Sequence, residues 1–155
     1  MRPKSTSRDL FPAGSFCTEV RTRFAEIDLQ GVVHHSYYLI YCEVARVEYF
    51  KALGFDFRQA RRNGDFDIVV AEAHCKYIAP ARFDEMLTIY TWVSRVRHTS
   101  FTLDYYICRN EDDLWLAQAQ TTLVAIDPQM KKARSLPEEM RRALKKASDS
   151  AKNPL

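Results

Sequence analysis

The spacing of apolar and polar positions changes twice along the chain. Residues 16–26, FCTEVRTRFAE, set Phe16, Val20 and Phe24 among charged neighbours and predict a strand. A short turn segment follows. SYYLIYCEVARVEYFKALG then takes up helical spacing and predicts a helix from about Ser36 to Leu53. Ser36 is placed to cap its start, and Gly54 to end it in a left-handed conformation. Tyr38, Tyr41, Cys42, Ala45, Tyr49, Ala52 and Leu53 fall on one charge-free arc of that helix. The other side is mixed, with Ile40, Val44, Val47 and Phe50 among Glu43, Arg46, Glu48 and Lys51. Such a helix needs cover on most sides, from a sheet and from a partner subunit.

DFRQARRNGD predicts a short second helix that stops near Asn63-Gly64. The period then drops to two. Residues 66–78, 85–97, 100–109 and 114–126 predict four long strands. Alternation is clearest in the third of these, with Phe101, Leu103, Tyr105 and Ile107 set against Thr102, Asp104, Tyr106 and Cys108. The breaks APARFDE, RHTS and NEDD carry turn chemistry, and connections this short favour antiparallel pairing. Pro137 opens a final helix, PEEMRRALKKA, with acids in its first turn and bases later, the order that suits the helix dipole. Strand, long helix and four strands make an α+β architecture: an antiparallel five-stranded sheet around one mostly buried helix.

Composition narrows the class. At 155 residues and 46% hydrophobic content the chain suits one domain with a packed core. The expected division is a flexible arm over 1–15, the domain over 16–147 and a flexible tail over 148–155. A net charge of +3 does not call for nucleic acid, and the aromatic residues lie on core faces rather than between basic ones. No apolar run approaches the ~18 residues of a membrane span. The basic N-terminus lacks the apolar stretch of a secretory signal, so a cytoplasmic location is expected. Cys17, Cys42, Cys75 and Cys108 form no CxxC pair and read as reduced, buried small residues.

The candidate chemistry sits in EIDLQGVVHHSYY, residues 26–38. Asp28 reads either as an Asx-turn residue or as a carboxylate aimed into a pocket, acting as nucleophile or general base. Gly31 permits a backbone conformation closed to other residues, and Val32 and Val33 keep the turn apolar. At the helix start, free N–H groups carry the positive end of the dipole and suit the oxygen of a polarised carbonyl. An acid and an oxyanion donor close together are what acyl transfer requires. His34 and His35, as neighbours on a turn, should point apart; no HxxxH or HExxH is present, so no metal site is expected. There is no GxSxG either. Arg95 and Arg97, with Lys131, Lys132 and Arg134, read either as solvated surface or as a landing patch for coenzyme A or an acidic carrier protein.

RFAEIDLQGVVHHSYYLIYCEVARVEYFKALG resembles the opening of the 4-hydroxybenzoyl-CoA thioesterase family of hotdog-fold proteins, particularly the branch associated with the Tol–Pal system. The likeness continues through CKYIAPARFDEMLTIYTWV, HTSFTLDYYI, LAQAQTTLVAIDP and KKARSLPEEM, over about residues 16–143. It implies a hotdog fold, a homodimer or homotetramer, and an active site at the dimer interface. The implied activity is hydrolysis of an acyl-CoA, with an acyl carrier protein thioesterase or a non-catalytic acyl-CoA-binding module on the same fold as the alternatives. No cofactor is implied, since CoA belongs to the substrate. Asp28 takes the catalytic carboxylate position, and the His35 N–H the position that polarises the thioester carbonyl; in the Tol–Pal branch that residue is also a histidine whose side chain is implicated in activity. Gly31, Val33, Tyr38 and Ser100 fall at positions near the substrate, and Arg95, Arg97, Lys132 and Arg134 are candidates for its phosphates. Phe24 departs from the branch, which often has tyrosine there.

Overall fold

The computed structural model describes residues 11–12 and 14–152. Five strands form one sheet in the order β1-β3-β4-β5-β2, and every neighbouring pair is antiparallel. They are β1 (Phe16–Arg21), β2 (Asp67–Tyr77), β3 (Met86–Val96), β4 (Ser100–Arg109) and β5 (Leu114–Ile126). Three helices, α1 (Ser36–Ala52), α2 (Phe57–Asn63) and α3 (Glu138–Lys152), complete the fold. The alternation seen in the sequence of β4 holds in part, since Thr102 and Cys108 on its second face are buried as well. Phe101, Leu103, Tyr105 and Ile107 are fully buried, and their neighbours Asp104 and Tyr106 are half-buried on the other face. The turns between strands use aspartate in the left-handed region, at Asp84 (φ 62°) and Asp113 (φ 55°), a conformation aspartate tolerates through local hydrogen bonding.

Helix α1 lies against the sheet, touching β1, β3, β2 and β5. It buries Tyr38, Tyr41, Cys42, Ala45, Tyr49 and Phe50. Two details differ from the expected arc. Ala52 is exposed, and Phe50 is buried instead, because α2 and the sheet close over it: its ring meets Phe57 edge-on at 4.6 Å and Phe101 at 5.6 Å. The mixed side of the helix is open. Ile40, Val44 and Val47 are each more than 40% exposed, at the i, i+4, i+7 spacing of one stripe. Past Leu53, Gly54 (φ 87°) takes the left-handed position; the Gly54 and Phe55 N–H groups then bond to the Lys51 and Phe50 carbonyls, which satisfies two of the helix's last acceptors.

Four further expectations are corrected. The strand read over 16–26 ends at Arg21, and Phe24–Glu26 form a 3-10 turn. Phe24 is 79% exposed, while Glu26 is drawn inward by hydrogen bonds from Arg23 and Tyr41. Ser36 is the first residue of α1 rather than its cap; His35 precedes it and is itself in helical conformation. Helix α3 runs past the domain end expected at residue 147, because Ser148 and Ala151 are still buried on its inner face. Cys17 is exposed, on the outward-alternating side of edge strand β1, though Cys42 and Cys108 are buried. Most of the arm expected over residues 1–15 lies outside the described residues, but Phe11 lies within them and stacks on Tyr90 with centroids 3.7 Å apart.

Candidate active site

The site is built where the chain crosses from edge strand β1 to the start of α1. Thr22 leaves the sheet by donating its N–H to the Glu85 carbonyl at 2.9 Å and its hydroxyl to that of Arg82 at 2.6 Å. After the 3-10 turn comes Asp28. Its N–H donates to the Val32 carbonyl at 2.9 Å, and its carbonyl accepts from the Gly31 N–H at 3.0 Å. Gly31 has φ 77°, which an L side chain would strain. The two readings of Asp28 prove compatible in geometry. Its Oδ1 accepts from the Gln30 N–H at 2.8 Å and the Val32 N–H at 3.4 Å, as in an Asx turn, and its Oδ2 has no partner among the described residues. The half-buried carboxylate lies in an open hollow of about 660 Å³ lined by Ile27, Asp28, Leu29, Gln30, His34 and His35.

The helix start faces the same hollow. The N–H groups before and after His35 are occupied: Val33 donates to the Ala81 carbonyl, His34 to that of Glu26, Ser36 to His34 Nδ1 and Tyr37 to the His34 carbonyl. The His35 N–H has no partner among the described residues. It carries the positive end of the α1 dipole. Tyr77 of β2 donates its hydroxyl to the His35 carbonyl at 2.8 Å and pins that peptide to the sheet. Sequence pattern alone does not mark Tyr77 as a site residue, although it stands in the CKYIAPARFD stretch that carries the resemblance. The two imidazoles do not point apart. Their centroids are 4.2 Å apart, because the chain is already helical at His35 and His34 folds back to bond Ser36 Oγ at 2.8 Å. Among the described residues, no three His, Cys, Asp or Glu side chains come together as a metal site would need.

The other candidate residues divide into two groups. Val33 and Tyr38 lie directly beneath the loop in the core, each 3% exposed, and the Tyr38 hydroxyl accepts from the Ala81 N–H at 3.0 Å. Burial pushes the Tyr38 hydroxyl above its ordinary pKa. Within one chain these two side chains support the hollow from below rather than line it. Ser100, Arg95, Arg97, Lys132 and Arg134 lie at the opposite end of the sheet. Arg97 lies in the β3–β4 turn and Ser100 opens β4; the turn is linked to the end of β5 by the bond from Ala125 N–H to the Thr99 carbonyl. Lys132 and Arg134 follow β5, and Arg134 donates to the Asp65 carbonyl beside the start of β2. Asp28 sits near the far end of β2, where Tyr77 holds His35. A second hollow, about 630 Å³, lies with the basic group near the C-terminal end of α1, lined by Val47, Lys51, Gly54, Phe55, Asp56, Phe57 and Arg58.

Known proteins match this chain in sequence and fold. The family model described as the thioesterase-like superfamily matches residues 22–144. The acyl-CoA thioester hydrolase YbgC of Escherichia coli is 35% identical over 121 residues, covering 78% of this chain and 89% of that protein. The acyl-CoA thioesterase YbgC of Haemophilus influenzae is 29% identical over 128 residues, covering 83% and 93%. The crystal structure of a 1,4-dihydroxy-2-naphthoyl-CoA thioesterase from Synechocystis superposes with a TM-score of 0.79 at 27% identity, over 84% of this chain and 96% of that one. With the family match spanning the Asp28 loop, α1 and strands β2 to β5, this chain belongs to the thioesterase-like superfamily.

Proposed function

We propose that the protein is an acyl-CoA thioesterase that uses Asp28 and the backbone N–H of His35 on the thioester. The observation that carries this reading is the pairing, on one hollow, of a carboxylate oxygen and a helix-start N–H that both lack partners among the described residues. The N–H holds the thioester oxygen as it gains charge, a contribution of ~3 kcal/mol for a well-placed donor. Asp28 either attacks the carbonyl carbon to form a mixed anhydride, which water then hydrolyses to restore the carboxylate, or takes a proton from the attacking water. In both routes the C–S bond breaks, CoA leaves as its thiol, and the acyl group leaves as the free acid. The YbgC relatives act on acyl-CoA by name, and the Synechocystis enzyme on an aromatic one. The narrower Tol–Pal-associated branch and a cytoplasmic location belong to the same proposal.

The site is completed by a second copy. β2 is an edge strand of 11 residues; Val69, Val70 and Tyr77 in it and Ile78 just after it are exposed, as are Glu72, His74 and Lys76. A long unpaired edge of this kind calls for a partner strand. Antiparallel pairing of β2 with its own copy would continue the sheet and cover Ile40, Val44 and Val47. It would also bring the Tyr77 end of one chain, with Asp28 and His35, to the Asp67 end of the other, with its apolar hollow and basic cluster. The long helix would then be wrapped as in a hotdog fold. The acyl group would enter between the chains, and the CoA phosphates would rest on the partner's basic side chains.

The test is thiol release from a panel of short, long and aromatic acyl-CoAs, with wild type beside Asp28→Asn and Asp28→Ala. A loss of about 100-fold or more in both folded variants supports the reading. Unchanged turnover in the variants would sink the mechanism. An inactive wild type would move the substrate to acyl carrier protein or the fold to ligand binding without chemistry.

A further inference from the structure

Glu26 is the only buried carboxylate among the described residues, at 1% exposure, and the hydrolytic step above does not use it. A charge in that position is costly unless it is fully hydrogen-bonded. Three donors meet the need: the Tyr41 hydroxyl at 2.5 Å, Arg23 Nε at 2.7 Å and the Arg23 N–H at 2.8 Å. Burial alone would raise the carboxyl's pKa; the hydrogen bonds from Tyr41 and Arg23 outweigh it and hold the group below its ordinary value.

These bonds reach two different elements. Arg23 opens the 3-10 turn that leads to Asp28, and Tyr41 stands in the second turn of α1. The backbone carbonyl of Glu26 adds a third tie, accepting the His34 N–H at 2.8 Å. One residue therefore fastens the segment entering the catalytic loop to the helix that follows it. Between the fastenings lie Asp28 and His35. We infer that Glu26 is a positioning residue: with Tyr41 it sets where the Asp28 carboxylate stands relative to the His35 N–H. It thereby governs the chemical step rather than substrate binding, an inference that rests on the thioesterase reading above. Arg23 is the outer member, with its side chain 72% exposed, so Tyr41 is the partner that acts in the dry interior.

The test measures kcat and KM on one acyl-CoA for wild type, Asp28→Asn, Glu26→Gln, Tyr41→Phe and the Glu26→Gln/Tyr41→Phe double variant. Rates are taken per folded chain, with folding checked by thermal melting. The expected result is a kcat loss of about tenfold or more in each single clamp variant with KM changed by less than about threefold. The double variant should lose no more than the worse single, because the two side chains act as one device. The His35 amide resonance should shift in Tyr41→Phe, a readout independent of turnover. Should Glu26→Gln fail to fold, Tyr41→Phe decides, since it removes only a hydroxyl. Normal kcat in folded Tyr41→Phe overturns the clamp, as does a KM effect with kcat intact, or losses that multiply in the double variant. If wild type is active, Asp28→Asn is dead and Tyr41→Phe is normal, the clamp fails while the thioesterase reading stands. A wild type inactive on every acyl-CoA overturns both.

Discussion

Two impaired variants should rescue each other if the site is shared between chains. One carries Asp28→Asn; the other carries Arg97→Glu with Lys132→Glu, both exposed at the far end of the sheet. Strand β3, whose 11 residues separate the two ends, spans roughly 35 Å. Screening acts over about 8–10 Å, so these cations do little for Asp28 in their own chain. At about 1 kcal/mol for each exposed contact to a phosphate, losing both lowers the rate at low substrate by ~30-fold. The Asp28→Asn chain contributes almost nothing alone. Random mixing makes about half of the dimers hybrid, and each hybrid holds one intact site and one doubly damaged one. The mixture should therefore reach about a quarter of the wild-type rate, against roughly one sixtieth for two preparations that do not exchange. The assay is thiol release below KM after co-refolding, with separately refolded samples combined as the control. A rate that stays at the average of the separate preparations would refute the shared site. So would an Arg97→Glu/Lys132→Glu chain with unaltered KM.

Four further outcomes follow from the geometry. Val44→Lys should leave a folded chain, since Val44 is already 41% exposed, yet shift sedimentation toward the monomer, because the covered stripe would hold an unpaired ammonium costing several kcal/mol; an unchanged sedimentation coefficient contradicts the interface. Tyr77→Phe removes the hydrogen bond to the His35 carbonyl and should cost about 0.5–1.5 kcal/mol, lowering Tm by a few degrees. Gly31→Ala should destabilise by about 1–2 kcal/mol through backbone strain alone, because a Cβ there meets nothing within 4 Å, and Gly31→Asn should cost less in the same melt. Asp112 accepts two hydrogen bonds from Arg109, which hold its carboxyl down to about 2. Its contribution is complete above the unfolded value of ~3.9 and disappears as pH falls through about 2, so the Tm gap between wild type and Asp112→Asn should be widest near neutral pH and close across that acid window.

The parts of this protein legible in its sequence are those whose physics is local. Strand and helix periods depend on neighbours a few residues apart, and β2 to β5 fall within one residue of their expected ends. Asp28, Gly31 and His35 could be read together because one turn brings them together. The misreadings share a cause. Glu26 looked like the end of a strand because its partner Tyr41 lies 15 positions away, on the next element. Tyr77 meets His35 across 42 positions, and no periodicity carries that information. The basic residues presented the opposite difficulty. Their charge was plain from composition, but their distance from Asp28 is a property of sheet order, which places β2 at the edge beside β5 and sends the two groups to opposite ends. That separation weakens a one-chain active site and strengthens a two-chain one. On the proposed reading, an antiparallel copy would pair with the open β2 edge, cover the α1 stripe and join the two halves of the candidate site. The same two-fold operation would cover the stripe and close the site, so oligomerisation and catalysis should be lost together.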